Sequence, residues 1–208
     1  MISMSKKCKT NSVPAVSLLV RADSLDKFTT LLQSGIFLSI QQGESIGDLL
    51  TSLPGFSETY IKERVQTIFM DGLPADDLAQ QFLEQETVLA ISAAMPGLAG
   101  AIFRKGGVHA SLRTTTEKKD ASTTHGDALT VRLKLFNIIA KERGVTLLAE
   151  GCLIQSASFE KFLHYRTPLA ASIQSIAIDC QKTDMQMLLK TLSENTKIVL
   201  KINSGHDN

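Results

Sequence analysis

Tryptophan is absent from these 208 residues, and Phe and Tyr together bring the aromatic share to only 5%. The core must therefore be built from Leu, Ile, Val, Ala and Phe. Cysteine is scarce too. Cys8, Cys152 and Cys180 are odd in number and far apart, which excludes a disulfide framework and any closely spaced zinc or redox motif. Free thiols in a reducing compartment are expected, with Cys152 and Cys180 packed as small buried hydrophobes. A charge excess is also missing. Twenty-two Lys and Arg face 21 Asp and Glu, for a net charge of +1 and a pI near 7.7. Phosphate neutralisation needs clustered cations, so no nucleic-acid partner is expected.

No apolar run approaches the roughly 18 residues that cross a bilayer. The opening MISMSKKCKTNS is followed by VSLLV, too short for a secretory apolar core, and then by Arg21 and Asp23. The expectation is a cytoplasmic protein with no membrane partner. Catalytic constellations are missing as well. His109, His125, His164 and His206 are scattered, with no triad or metal spacing. His125 and His206 sit in polar segments, and His164 lies beside Phe162 and Tyr165 at the boundary of an amphipathic helix. The acidic pair Asp76-Asp77 follows Pro74 and reads as a helix start, where acids favour the dipole. No catalytic residue, no metal site and no cofactor is assigned.

What is present is regular alternation of apolar and polar residues. Mean hydropathy is +0.06 and the hydrophobic share 43%, ordinary values for a globular chain. Strand patterns fall at 15–21, 36–41, 65–70, 87–92, 129–136, 152–154, 175–179 and 197–202. Helical patterns fall at 25–33, behind a Ser24 cap, and from Ser45, where Ile46, Leu49, Leu50 and Leu53 share a face until Pro54-Gly55. Others cover 57–64, 138–148 with Gly144 as an interruption, the stretch around Phe159, Phe162 and Leu163, and 183–192. In that last helix Thr183 is the expected cap, and Met185, Leu188, Leu189 and Leu192 face inward. Residues 75–82 read as helix or turn. Asp71-Gly72 is a tight hairpin signal. No internal repeat emerges.

Residues 113–127, RTTTEKKDASTTHGD, hold almost no apolar side chain and read as a linker. The chain divides accordingly into a disordered tail at 1–12, a domain at 13–112, the linker, and a small α/β domain at 128–208. The alternative is a surface loop, with the second half completing the first half's sheet.

The best candidate site is the glycine-rich stretch AMPGLAGAIFRKGG at 94–107. Glycine allows close backbone approach and positive φ. Pro96, Gly97, Gly100, Arg104, Lys105, Gly106 and Gly107 form a candidate partner-binding surface, the two cations addressing an acidic protein. The plainer reading is a turn at Pro96-Gly97, a strand over 99–103 and a hairpin at Gly106-Gly107. The stretch lacks both the Gly-Lys-Ser/Thr ending of a phosphate loop and the spacing of a dinucleotide fold. Arg132 and Lys134 share a strand face and form a small basic patch with Lys201.

The segments 36–53 and 65–100 resemble the ubiquitin-like β-grasp sulfur-carrier proteins of molybdopterin and thiamin synthesis. Ser45–Leu50, SIGDLL, matches the family's helix start after a strand and turn. Residues 88–100 are similar to its last strand running into a glycine end. The resemblance covers about a third of the chain and implies an N-terminal β-grasp domain. Its chemistry requires a free terminal glycine carboxylate, whereas Gly100, Gly106 and Gly107 are internal and the chain ends Gly205-His206-Asp207-Asn208. Sulfur carriage would need cleavage after Gly107.

The sequence thus predicts an α+β protein, β-grasp-like at its N-terminal half, that acts without catalysis by binding another protein. The rival is an enzyme or small-molecule binder with its site between the halves. The oligomeric state is open.

Overall fold

The computed structural model describes residues 13–93, 97–104, 107 and 128–205, and in them the chain builds one mixed ten-stranded sheet with helices. The expected tail at 1–12, the linker at 113–127, and Pro96, Lys105 and Gly106 lie outside the described residues. In chain order, β1 (Ala15–Val20) leads through 3-10 turns and α1 (Leu25–Phe28) to β2 (Ile36–Gln41). Next come α2 (Ile46–Ser52), α3 (Glu58–Arg64), β3 (Thr67–Met70), β4 (Leu73–Pro74), β5 (Glu86–Ser92) and α4 (Gly97–Phe103). The second half runs β6 (Ala128–Leu135), α5 (Asn137–Glu150), β7 (Cys152–Gln155), α6 (Ser156–Tyr165) and α7 (Thr167–Ala170). It ends with β8 (Ile173–Ile178), β9 (Gln181–Thr183), α8 (Met185–Glu194) and β10 (Lys197–Ser204).

Local chemistry accounts for most boundaries. Ser45 and Asp48 form a reciprocal capping box at the start of α2: Ser45 Oγ accepts the Asp48 N–H at 3.1 Å, and Asp48 Oδ2 accepts the Ser45 N–H at 3.2 Å. Asp184, not Thr183, caps α8, because Thr183 is still paired in β9. Ser24 caps nothing. Its hydroxyl donates to Asp23, and the segment after it is mostly 3-10 rather than one α-helix. Residues 75–85 form no helix. Leu189 is exposed rather than inward, and so is Cys180, whereas Cys152 is buried.

Gly144 does not interrupt α5. A Cβ there would lie 2.8 Å from Leu32 Cδ1 and from Thr29, so its lack of a side chain lets α5 press against the turns before β2.

The strand order is β4-β3-β5-β6-β2-β7-β10-β1-β8-β9. Two exchanges stand out. The second-half strand β6 lies between β5 and β2, and the first-half strand β1 lies between β10 and β8. The domain division at 13–112 and 128–208 is therefore not a division of the sheet. β2 and β7 pair antiparallel at the centre, with Phe37 opposite Leu153. Outward from each, the directions repeat. An antiparallel neighbour (β6 or β10) comes first and a strand parallel to that neighbour (β5 or β1) second. An antiparallel strand (β3 or β8) and its hairpin mate (β4 or β9) complete each side. The sheet thus has an approximate two-fold axis at the Phe37–Leu153 pair. Strand order and direction repeat where sequence does not.

Alternation along the strands puts Val16 and Leu18 of β1, Val131 and Leu133 of β6 and Leu200 of β10 on one buried face. There they pack with Phe28, Leu32, Leu50, Ile139, Phe159 and Leu188 from the helical side. The opposite face is half-buried to exposed, apart from the buried Thr67 and Ser92.

Candidate functional site

The described part of the glycine-rich stretch is a helix followed by Arg104 and Gly107. Gly97–Phe103 forms α4, not the strand of the plainer reading, while the hairpin expected at Gly106-Gly107 includes a residue outside the described ones. Gly97 is exposed at φ +77° with open space around it, whereas Gly100 is buried. Arg104 is exposed just past the helix, and its carbonyl accepts the Gly107 N–H at 2.9 Å. Phe103 packs on Phe69 of β3 at 5.2 Å between ring centroids. Phe69 belongs to the open face of the sheet, so α4 reaches that face.

The open face gathers charge of one sign. Strand register places Arg132 and Lys134 of β6, Lys197 and Lys201 of β10, and Lys182 of β9 on it. Glu86 of β5 is its one strand carboxylate among the described residues; Asp71 and Asp179 lie at the hairpin tips. Arg132, Lys134 and Lys201 therefore do share one face, as the sequence implied, and Lys182 and Lys197 join them from distant positions. Phe37 sits at the centre. Lys197 Nζ lies 3.9 Å from its ring centroid and the Arg132 guanidinium 5.6 Å. Arg132 is also structural, since it donates to the Ser34 carbonyl at 2.9 and 2.6 Å and lies over Gly35. Gly35, at φ +98°, leaves it that room; a Cβ would come within 2.7 Å of the Arg132 side chain.

A cavity of about 670 Å³ opens on the same face. It runs from the Asp71-Gly72 hairpin along β5 to Phe136 and Asn137, where β6 ends and α5 begins. Its walls combine residues 69–92 with residues 134–137, so it draws on both sides of the expected linker. Asn137 holds φ +53° and donates from Nδ2 to Ser92 Oγ at 3.0 Å. Asn tolerates this left-handed conformation better than most residues. Nothing in the sequence marks Phe69, Phe136 or Asn137 as site residues; the one available signal is an Asn directly before the helical pattern at 138–148.

On the helical side, Tyr60 and Arg64 of α3 converge on Glu142 of α5. The Tyr60 hydroxyl donates to Glu142 Oε2 at 2.8 Å, and Arg64 forms an ion pair with the same carboxylate. Arg143 stacks over the Tyr60 ring at 3.8 Å. Burial, reinforced by Glu142, pushes the Tyr60 phenol up to about 12. The hydrogen bond from Arg64 holds Glu142 below the usual carboxylate range. Burial likewise pushes the Cys152 thiol up to about 12, and its Sγ donates to the Leu147 carbonyl at 3.2 Å, so this thiol is not an activated nucleophile. His164 is exposed beside Tyr165.

Among the described residues no group of three or more His, Cys, Asp or Glu could hold a metal ion, and no helix is long and apolar enough to cross a membrane. Compared with protein-family models, with curated proteins and with solved structures, the chain matches none.

Proposed function

We propose that this chain is a non-enzymatic, cytoplasmic protein-binding module whose contact surface is the open face of its sheet. The observation that carries the reading is the charge asymmetry of that face. Arg132, Lys134, Lys182, Lys197 and Lys201 share it with Glu86 alone among strand carboxylates, in a chain whose total charge is nearly balanced. Such a face favours an acidic partner and speeds its approach. Phe37 and Leu153 add a half-buried apolar centre, the composition of an interface core. The glycine-rich stretch borders this surface through Phe103 on Phe69. The sheet's edges are poorer candidates, because β4 and β9 are only two and three residues long and offer little backbone for strand addition.

We further read β2, β6, β5, β3 and β4 as a β-grasp sheet crossed by the helical stretch after β2. Its support is the order of these strands around a parallel central pair, β5 with β6. In this reading the unit's first strand arrives from beyond residue 127. The likeness to sulfur carriers is one of arrangement. Gly100 is buried within α4 and Gly107 is internal, so carriage would still require cleavage after Gly107.

The test uses two exposed cations remote from the cavity, Lys182 and Lys201. Polyglutamate binding is measured by fluorescence anisotropy for the wild type and for K182E/K201E, with an oligo-dT of equal charge as competitor. The expected result is saturable polyglutamate binding, weakened at least about ten-fold by the double reversal, a change worth about 1.4 kcal/mol. Equal binding by both proteins, or none by the wild type, would sink the proposal. Preference for oligo-dT would replace it with nucleic-acid binding.

A further inference from the structure

The cavity beside α5 has a chemistry of its own. Its walls are apolar where β3, β5 and β6 meet: Phe69, Ala90 and Phe136 line it. Phe103 packs against Phe69. A volume of about 670 Å³ lies within the range of small-molecule sites, which are mostly apolar with a few convergent polar groups. Those groups are present at one end. Lys134 lines the cavity and has no ion pair with any described residue. Ser92 and Asn137 close that end through their mutual hydrogen bond. Thr67 lies on the same face of β3 as Phe69 and directly across from Ser92. It is buried, and its Oγ1 has no hydrogen-bond partner. Thr67 does not itself line the cavity, so the polar groups a ligand meets at that end are Lys134, Ser92 and Asn137.

The start of α5 adds a directional preference. Phe136 offers no capping side chain, and the first turn of this 14-residue helix holds no acid. Its leading N–H groups and the helix dipole favour negative charge. The carboxylate at the opposite end, Asp71, is already engaged, because its Oδ1 accepts the Val88 N–H at 2.7 Å.

We propose that this cavity binds a small molecule with an apolar ring body and one anionic group. The ring lies between Phe69 and Phe136, and the anion meets Lys134 and the first turn of α5. The cavity opens on the same sheet face as the contact surface inferred above and shares Lys134 with its cations, but its test does not depend on a protein partner.

The probes are 1-anilinonaphthalene-8-sulfonate, an apolar ring system with one sulfonate, and N-phenyl-1-naphthylamine, its uncharged counterpart. Fluorescence titration of the wild type should give one saturable site for the sulfonate and weaker binding of the amine. Lys134→Ala should weaken the sulfonate about ten-fold and leave the amine unchanged, because only the charged probe meets the lysine. Ala90→Phe should abolish both by filling the cavity. Val88→Trp narrows the same space and replaces Ala90→Phe if melting curves show that variant to be misfolded. Absence of a saturable site, equal weakening of both probes by Lys134→Ala, or undiminished binding in the filled variant would each overturn the proposal.

Discussion

Asp71 and Asp179 occupy equivalent places on the two sides of the sheet and make the same pair of hydrogen bonds. The Asp71 N–H donates to the Val88 carbonyl at 2.8 Å while its Oδ1 accepts the Val88 N–H at 2.7 Å. The Asp179 N–H donates to the Ala15 carbonyl at 2.8 Å while its Oδ1 accepts the Ala15 N–H at 3.0 Å. Each stands at the first turn position of a hairpin with positive φ, +50° and +49°, and thereby locks that hairpin to the neighbouring strand. Gly72 follows the first and Cys180 the second, at φ +83° and +67°. An L side chain in this region costs roughly 1–2 kcal/mol, partly offset by the greater entropy of glycine in the unfolded chain. Cys180→Gly should therefore raise stability by up to about 1 kcal/mol, whereas Asp179→Ala should lower it by about 1 kcal/mol or more. Urea denaturation of both variants checks this, and a destabilised Cys180→Gly would refute the equivalence of the two turns.

Close approach of α5 to the turns before β2 rests on Gly144. Adding a methyl group would force Leu32 and Thr29 to move, since neither has room within 2.8 Å. Gly144→Ala should cost about 1–3 kcal/mol, against the usual gain from placing Ala in a helix. Thermal melting of this single variant decides the sign.

Because β1 and β6 each lie among strands of the other half, cutting the chain should not release two domains. With a protease site inserted between 113 and 127, the two fragments should stay together in native buffer and elute as one particle on size exclusion. They should separate only under denaturant. Elution of two folded fragments would contradict the strand exchange.

The Tyr60–Glu142–Arg64 cluster makes stability depend on pH at both extremes. The unfolded phenol loses its proton near the ordinary value of about 10, while native Tyr60 keeps its own up to about 12. Over that window the unfolded state binds fewer protons, so stability falls as pH rises. Glu142 acts in the opposite sense. Its contribution is present above the ordinary carboxylate range and is lost as acid titrates the native group. Tyr60→Phe should flatten the alkaline decline and cost about 1.5–3 kcal/mol at neutral pH, the worth of a hydrogen bond to a charged group. Absorbance at 295 nm in a Tyr165→Phe background, where Tyr60 is the only phenol, should show a midpoint near 12. A midpoint near 10 would show that Tyr60 is neither buried nor hydrogen-bonded to Glu142 in solution.

The sequence by itself determined what depends on near neighbours in the chain. The two-residue alternation in 36–41 and 129–136 specified strands with one buried face. Ser45 and Asp48, three apart, specified a helix start, and Asp71-Gly72 specified a turn. These rest on side chains reaching their own backbone or on the pleat, so they are legible locally. The tertiary structure alone decided which strands are neighbours. Nothing near Ala15 announces that it will pair with Val199 and lie beside Asp179, because pairing partners are chosen by burial across the whole sheet. The candidate sites follow the same division. Arg132 and Lys134 were legible as one strand face, but Lys182 and Lys197 join that face only through strands far along the chain. The cavity needed Phe69, Ala90 and Phe136 brought together by the insertion of β6 beside β5. Only closing long loops to bury one shared apolar face could place them there.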